Sequence, residues 1–243
     1  MKISYACASN IGLRREKNQD NFICRGLFMH SDAADGGAFL SGCCDPSENT
    51  VFGVFDGMGG EQQGEAASYI AASKAAQYPF SQGGDSVLAD FCLEANRAIA
   101  DYTAANWLRF CGATAAMLMF TGKSIRLCSL GDSRIYRIRG GRTAQLTRDH
   151  VAPGYGGRKA PLTQCLGIPE TEMQLIPCEA LLEYTPGDRY LICSDGLTDM
   201  LTDAEIGSAA ASGAVEDAAK QLLRGALRSG GWDNITLILL EIA

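Results

Sequence analysis

The sequence predicts a layered α/β fold in which antiparallel strands lie centrally and helices cover them. Short β-branched and aromatic runs, typical of strands, recur at both ends and in the middle of the chain. Three of these runs follow one another through turns at Gly122–Lys123 and Gly131–Asp132, and connections this short join only antiparallel neighbours. Two pairs of segments with helical periodicity lie between the groups of strands. These features disfavour a parallel Rossmann sheet.

Each predicted element has a local reason. The strands are apolar runs bounded by Gly, Asp or Asn, at residues 3–8, 51–55, 114–120, 124–130, 135–139, 189–194 and 235–242. The first helix pair combines an Ala-rich segment at 65–77 with residues 87–102, whose apolar side chains recur on one face. The second pair combines residues 215–227 with a shorter helix, which Thr202 and Glu205 open as a capping box.

The chain is predicted to form a single domain over residues 1–243. Of its 243 residues 47% are apolar, and a chain of this size buries roughly three quarters of its unfolded surface. No repeat, low-complexity tract or linker divides it. The stretches 25–49 and 151–163 are rich in Gly, Ser, Asp and Pro, which favours loops attached to this domain.

Charge and cysteine content exclude several function classes. With 28 acidic and 21 basic side chains, the chain has a formal charge of −7 and lacks the cationic surplus of nucleic-acid binders. No apolar run is long enough to cross a bilayer, and the N-terminus lacks the apolar run of a signal peptide, so we expect a cytoplasmic protein. The ten cysteines are scattered without a C-x-x-C pair, and only two histidines are present, which disfavours a disulfide scaffold or a zinc site.

Four aspartates stand beside glycine or amide residues at the ends of predicted strands: Asp56, Asp132, Asp195 and Asp233. Any one alone is most often a turn residue, because Asp-Gly and Asp-Asn are common turn formers. If the strand ends meet at one rim, however, the carboxylates converge and need cations to neutralise them. Hard oxygen ligands without histidine or thiolate favour Mg²⁺ or Mn²⁺. Gly57 also allows its backbone carbonyl to approach such an ion.

Nine short motifs follow one another along the chain. They are REKNQD at 15–20, VFDGMGG at 54–60, GEAAS at 64–68, GAT at 112–114, GDSR at 131–134, LTRDH at 146–150, PGD at 186–188, CSDGLTD at 193–199 and DNIT at 233–236. The ordered set spans residue 12 to the C-terminus and resembles the type-2C, metal-dependent serine/threonine protein phosphatases. The compact form with Asp-Gly-Met-Gly-Gly resembles the bacterial members.

The resemblance implies a central β-sandwich of two antiparallel sheets flanked by antiparallel helix pairs. It also implies a site for two Mg²⁺ or Mn²⁺ ions and a third, weaker one. The implied ligands are Asp20 through water, Asp56, Gly57 through its carbonyl, Asp132, Asp195 and Asp233. Asp56 would bridge the two core ions, Gly57 and Asp20 would serve one of them, and Asp195 and Asp233 the other. Asp132 would hold the third ion together with Asp195.

The implied reaction is metal-dependent hydrolysis of phosphoserine and phosphothreonine in proteins, in which a hydroxide bridging the two ions attacks phosphorus directly. Arg15, five residues before Asp20, falls where the family has the arginine that binds substrate phosphate; the alternative is a solvated surface cation beside Arg14. The expected catalytic residues are Asp56, Asp195, Asp233 and Arg15. The expected partners are phosphorylated proteins, substrates of a serine/threonine kinase, and we expect a monomer that binds no nucleic acid and spans no membrane.

The sequence departs from the family pattern at three places. Gln19 stands where many relatives carry Glu, which removes one carboxylate from the surroundings of the metal. Met58 stands where the eukaryotic branch has a histidine proposed as general acid, so the proton for the leaving group would come from water. The flap at about 151–163 is shorter than usual in the family, and the loop at about 25–49 is correspondingly long.

Other function classes fit the residues less well. A serine hydrolase centred on Ser133 and His150 fails because position 135 is Ile where Gly-x-Ser-x-Gly needs glycine. A phosphate-binding P-loop ending at Gly122 fails because Met117 stands where it needs glycine. The remaining alternative is a pseudophosphatase, a binding module that keeps the fold without turnover. The presence of all the metal aspartates and of Arg15 favours the enzyme.

Overall fold

The computed structural model describes residues 1–30, 37–46, 50–58, 63–122, 124–154 and 160–243. Within these ranges the strands are β1 (Ile3–Asn10), β2 (Asp20–Cys24), β3 (Ala38–Cys44), β4 (Thr50–Met58), β5 (Gly112–Ala113), β6 (Ala115–Phe120), β7 (Ser124–Leu130), β8 (Arg134–Arg139), β9 (Arg142–Gln145), β10 (Cys178–Glu183), β11 (Arg189–Cys193) and β12 (Ile235–Ile242). The helices are α1 (Gly64–Gln77), α2 (Val87–Ala105), α3 (Asp195–Thr198), α4 (Asp203–Ala210) and α5 (Val215–Arg228).

The strands form two antiparallel sheets. The first sheet has the order β3-β1-β12-β11-β8-β9, and the second has the order β10-β7-β6-β4-β2, with the short β5 paired to the end of β4. The register aligns Cys7 with Ile238 across β1 and β12, and Val54 with Ala116 across β4 and β6. The predicted sandwich of two antiparallel sheets with flanking helices is confirmed.

Three apolar cores separate four layers. The central core lies between the sheets and includes Phe22, Phe52, Phe120 and Tyr190. One outer core lies between the second sheet and α1 and α2, and the other lies between the first sheet and α4 and α5. Along β12 the side chains alternate, so that Ile238 faces the central core and Leu239 the helix-side core. Strands buried on both faces have continuous apolar runs, which is why the sequence predicts them.

The helices form the two predicted outer layers. Helix α1 packs on β2, β4 and α2, whereas α5 packs on β12, β1 and α4. The predicted capping box opens α4, because the Glu205 N–H donates to Thr202 Oγ1 at 3.4 Å and the Thr202 N–H donates to the Glu205 carboxylate at 2.9 Å. Within the described ranges, no helix has the length and apolar character needed to cross a bilayer.

Five strands were not predicted: the four sheet edges, which are β3 and β9 in the first sheet and β10 and β2 in the second, and the two-residue β5 paired to β4. An edge strand pairs with only one neighbour and, in β3, β9 and β10, exposes part of its surface. Such strands have polar or mixed composition, since a fully apolar edge would invite aggregation. The apolar runs that mark the inner strands are therefore missing from most edges.

The stretch 25–49, predicted as a loop, is not a loop throughout. Residues Ala38–Cys44 form β3, which pairs with β1 and aligns Leu40 with Cys7. Backbone hydrogen bonds to β1 hold this strand although it contains Ser and Gly, so its side chains gave no strand pattern. The other expectations that concern residues 31–36, 47–49, 59–60, 123 and 155–159 fall outside the described residues.

A buried carboxylate closes the turn before β11. The side chain of Asp188 is 1% exposed and accepts hydrogen bonds at 2.5 Å from Arg139 Nε and at 2.8 Å from the Thr185 N–H. Burial raises the pKa of Asp188, but the hydrogen bonds from Arg139 and Thr185 lower it more, and the net pKa lies below its ordinary value. Such a carboxylate stabilises the fold above the unfolded-state pKa, and this contribution is lost as the pH falls through the folded-state pKa.

We expect Asp188→Asn to lower the free energy of unfolding at pH 7 by about 1–2 kcal/mol, a modest value because Arg139 is 43% exposed. Denaturant unfolding at pH 7 and at pH 3 measures this, and the difference between the two pH values should shrink in the variant. Asp85→Asn is the control, since Asp85 pairs with Arg126 while 96% exposed, and we expect less than about 0.5 kcal/mol there. An unchanged pH dependence in Asp188→Asn would contradict the assignment.

Candidate active site

Asp20 and Asp56 lie opposite each other on neighbouring strands. Asp20 is the first residue of β2, Asp56 lies within β4, and the antiparallel register pairs them directly. Directly opposed residues have Cβ atoms about 4.5–5.5 Å apart, so the two carboxylates are attached to the backbone at neighbouring positions. Because β4 continues to Met58, Asp56 belongs to the strand rather than following it, which corrects the predicted strand end.

The backbone around Asp56 is held on both sides. The Asp56 N–H donates to Thr114 Oγ1 at 3.0 Å, and the Asp56 carbonyl accepts from the Thr114 N–H at 2.9 Å. The Gly57 N–H donates to the Gln19 carbonyl at 3.0 Å. A Cβ on Gly57 would lie 2.2 Å from the carbonyl oxygen of Gly64 and 2.3 Å from that of Gln19. Only glycine fits at this position.

Three predicted metal ligands share one open cavity. It has a volume of about 330 Å³ and is lined by Asp56, Asp132, Asp195, Met58 and residues 160–162 of the flap. Asp195 is buried at the start of α3. Carboxylates confined together repel one another unless a cation or a proton lies between them, so the cavity favours positively charged ligands.

Contacts of His150 tie the flap to the strand end that carries Asp132. The Gly131 N–H donates to His150 Nδ1 at 3.2 Å, and the His150 N–H donates back to the Gly131 carbonyl at 2.9 Å. At the other end of the flap, the Thr163 N–H donates to the His150 carbonyl at 2.8 Å. Burial lowers the pKa of His150, in keeping with an Nδ1 atom that accepts a hydrogen bond.

Ser194 connects Asp195 with Asp20 across the sandwich. Its Oγ donates to Asp20 Oδ2 at 2.8 Å and accepts from the Thr236 N–H at 3.0 Å. Asp20 lies in the second sheet, whereas Ser194 follows β11 of the first sheet. One hydroxyl therefore orients a carboxylate of one sheet from the end of the other.

Asn234 holds the N-terminal loop. Its Nδ2 donates to the carbonyls of Ile11 at 2.9 Å and Lys17 at 3.0 Å, and its Oδ1 accepts from the Gln19 N–H at 2.8 Å. Three hydrogen bonds from one side chain thus fix the loop that carries Arg15. The same residue directly follows Asp233, so the loop and this carboxylate are positioned together.

Arg15 lies beside Asp233, with Nη2 2.6 Å from Asp233 Oδ2. Neither residue lines the 330 Å³ cavity, but both border the same end of the sandwich. The hydrogen bond to Asp233 is the main cause of a raised Arg15 pKa, and the negative charges of Asp56 and Asp20 raise it further. Arg15 therefore lies in the combined field of three predicted ligands.

The donor set suits hard divalent ions. The predicted ligands offer carboxylate oxygens and one carbonyl, the donors that Mg²⁺ and Mn²⁺ prefer. In the part of the chain that the structure describes, no group of three or more acidic, histidine or cysteine side chains is arranged to hold an ion alone. Mg²⁺ keeps several waters and takes only one or two protein carboxylates, so pairs such as Asp20 and Asp56 satisfy it. The residues present fit the ions that the motifs imply.

A larger cavity, of about 750 Å³, lies next to Asp20. Its lining includes Met29, Tyr69 and the ion pair between Lys17 Nζ and Glu65 Oε1, 2.7 Å apart. Of the predicted metal ligands, Asp20 borders it. The smaller cavity gathers the carboxylates, so it is the candidate active site even though it has less volume.

Comparison with known proteins agrees with this geometry. A family model described as Protein phosphatase 2C matches residues 37–228. The chain belongs to this family. Among the curated phosphatase 2C relatives, the serine/threonine protein phosphatase PstP of Mycobacterium tuberculosis is 30% identical over 255 residues, covering 99% of this chain. The chain spans 45% of the length of PstP.

Further phosphatase 2C proteins match over most of their length. The serine/threonine phosphatase Stp of Listeria innocua is 27% identical over 243 residues, which cover 89% of this chain and 92% of Stp. The crystal structure of the PstP catalytic domain in complex with two manganese ions aligns with this chain at a TM-score of 0.78 and 28% identity, covering 100% of both chains.

Four positioning residues of the phosphatase 2C site were not predicted, namely Thr114, Ser133, Ser194 and Asn234. The hydroxyls of Ser133 and Thr114 are hydrogen-bonded at 2.6 Å. This bond links Thr114, which holds the Asp56 backbone, to the motif that contains Asp132. Three of the four stand directly beside a predicted aspartate in the sequence. That adjacency was the available signal, since a hydroxyl or amide next to a buried carboxylate needs a hydrogen-bond partner.

We expect Gly57→Ala to destabilise the fold by about 1–3 kcal/mol or more, because the added Cβ collides with two carbonyl oxygens. Thermal unfolding measures the change. Gly84→Ala is the matched control, since a Cβ on Gly84 meets nothing within 4 Å. Equal melting temperatures for the two variants would show that the Gly57 backbone is less tightly packed than described.

Proposed function

We propose that this phosphatase 2C protein hydrolyses phosphoserine and phosphothreonine in proteins and depends on Mg²⁺ or Mn²⁺. One observation carries the proposal: Asp56, Asp132 and Asp195 share one open cavity, and Asp20 is paired with Asp56 across two strands. A site built from oxygen donors at the end of a rigid sandwich suits phosphoryl transfer to water. The naming of PstP and Stp as serine/threonine phosphatases supports the same reaction.

The metal ligands are proposed as Asp20, Asp56, Gly57, Asp132, Asp195 and Asp233. Asp56 is central because its strand neighbour is Asp20 and its cavity neighbours are Asp132 and Asp195, which supports a bridging role. When bound, the divalent ions supply an acidified water and positive charge beside the phosphoryl group. Asp195 and Asp233 would hold one core ion, Asp20 and the Gly57 carbonyl would hold the other, and Asp132 with Asp195 would hold a third.

Arg15 is proposed to bind the substrate phosphate. Its guanidinium is half exposed, and its ion pair with Asp233 is open to solvent, so the pair contributes less than about 1 kcal/mol. The guanidinium can leave Asp233 at little cost and bind two phosphate oxygens together, a geometry that lysine does not offer.

The residues that line the cavity also bear on the source of the proton taken up by the leaving serine or threonine oxygen. In hydrolysis the water oxygen forms a new bond to phosphorus, the ester P–O bond breaks, and the serine or threonine oxygen takes up a proton. Met58 lines the cavity and has no proton to give, so the proton comes from water. His150 uses Nδ1 to accept from the Gly131 N–H and acts as a structural residue.

The proposed substrates are phosphoproteins made by serine/threonine kinases, and the proposed location is the cytoplasm, where the protein acts as a monomer. The ten cysteines are free, in keeping with a reducing compartment. The acidic chain, with a formal charge of −7, attracts the substrate dianion through local charge at the site rather than through its net charge.

Metal removal tests the proposal. We expect hydrolysis of p-nitrophenyl phosphate to fall at least about a hundredfold in EDTA and to return with Mn²⁺, because carboxylate ligands alone leave the site without positive charge. Asp195→Asn should lower kcat by a similar factor, whereas Asp199→Asn, exposed in the same motif, should not. Full turnover in EDTA would overturn the metal role, and a folded, metal-loaded protein without turnover would point to the pseudophosphatase.

Arg15→Ala separates phosphate binding from metal binding. Losing a charge-assisted hydrogen bond of roughly 1.5–3 kcal/mol should lower kcat/KM by about one to two orders of magnitude, mostly through KM. Steady-state kinetics on a phosphopeptide measure the loss, and Arg14→Ala is the control. If Arg14→Ala carried the loss and Arg15→Ala did not, the assignment of the N-terminal motif would be wrong.

A further inference from the structure

Two large apolar side chains are exposed on the chain segments that carry Arg15 and Asp233. Leu13 is 63% exposed and Trp232 is 65% exposed. Leu13 precedes Arg15 by two residues, and Trp232 directly precedes Asp233. Single exposed apolar residues are ordinary, but these two stand on chain segments that meet at the edge of the active site. We refer to the two side chains as the Leu13–Trp232 patch.

The two segments of the patch are bound to each other. The Leu13 N–H donates to the Gly231 carbonyl at 2.7 Å. A Cβ on Gly231 would lie 3.1 Å from Leu13 Cγ and 3.2 Å from Leu227 Cδ2, so Leu13 and Leu227 both lie against Gly231. Leu227 in turn packs on the core beneath α5. The patch therefore has a fixed apolar base.

The exposed Trp232 indole packs on its own chain segment. A Cβ on Gly230 would lie 2.5 Å from Trp232 Nε1 and 2.8 Å from Cδ1, so the indole lies directly on the Gly230 backbone. Gly230 also has a φ of 131°, a backbone conformation that residues other than glycine rarely adopt. Tryptophan is enriched among residues that dominate binding energy.

The patch lies within reach of residues that flank a phosphorylated side chain. Consecutive Cα atoms are about 3.8 Å apart. The Leu13 Cα is therefore within about 8 Å of the Arg15 Cα, and the Trp232 Cα is next to that of Asp233. An extended peptide advances about 3.3 Å per residue. A peptide with its phosphate at Arg15 can therefore lay a neighbouring side chain on the patch.

Resting on the function proposed above, we infer that the Leu13–Trp232 patch is a specificity surface for phosphoprotein substrates that carry an apolar or aromatic side chain close to the phosphorylated residue. Continuity with the phosphate-binding Arg15 favours a substrate segment over a second copy of this chain. The two side chains act as specificity-determining residues and leave the chemistry to the metal ligands.

Paired phosphothreonine peptides test the inference. Each pair carries Leu or Ala at one of the three positions before or after phosphothreonine, and kcat/KM is measured with Mn²⁺. In the wild type we expect at least one position at which Leu exceeds Ala by about tenfold, the usual range for one apolar contact. That ratio should fall towards one in Trp232→Ala and should be reduced in Leu13→Ala.

The controls separate this inference from the proposed function. Trp107→Ala and Leu181→Ala remove the other exposed tryptophan and a leucine exposed to the same degree, at 65%, and should leave the Leu-to-Ala ratio unchanged. Hydrolysis of p-nitrophenyl phosphate by the wild type tests the proposed function alone. An active wild type with no preference at any position, or with a preference that survives Trp232→Ala and Leu13→Ala together, would overturn the specificity role.

Fluorescence gives a direct readout, because the chain has two tryptophans and Trp107→Phe leaves Trp232 alone. A non-hydrolysable phosphonate peptide with Leu at the preferred position should shift the emission to the blue as the indole is covered, and its Ala counterpart should shift it less. Equal shifts, or none at concentrations that inhibit hydrolysis, would contradict the inference. A shift that rises with protein concentration without peptide would assign the patch to self-association instead.

Discussion

Repulsion between like charges is the constraint that the rest of this structure has to satisfy. Asp20 and Asp56 are directly opposed on β2 and β4, and opposed like charges destabilise a pair of strands. Asp132 and Asp195 face the same cavity as Asp56. A loose scaffold would let these carboxylates separate, so the fold must hold them together until cations neutralise them.

Hydrogen bonds to and from uncharged side chains provide that rigidity. Thr114 holds the backbone of Asp56, Ser194 orients Asp20 from the opposite sheet, and Asn234 fixes the loop of Arg15. Each of these three residues lies in or beside a strand whose two faces are buried, as in β12. Close packing in the three cores resists movement of the strands, and their ends therefore present the carboxylates in a fixed arrangement.

The inner strands and both helix pairs could be predicted because their signals are local. Each inner strand is rich in apolar, β-branched or aromatic residues, and α4 begins with a capping box between Thr202 and Glu205. The edge strands β3, β9 and β10 lacked such signals, since their positions depend on a neighbour's backbone. The short helix α3 was missed for a related reason: four residues are too few to show a period.

The sequence by itself determined the residue types of the site: oxygen donors beside glycines, in an order that identifies the family. It also indicated that the central elements are strands, because burial on both faces favours apolar residues at most positions. The tertiary structure alone decided that Asp20 faces Asp56, that Arg15 pairs with Asp233 218 residues away, and that the segments of Leu13 and Trp232 are hydrogen-bonded to each other. These contacts join distant segments through sheet register and loop hydrogen bonds, and no local pattern in the chain encodes which distant residues become neighbours.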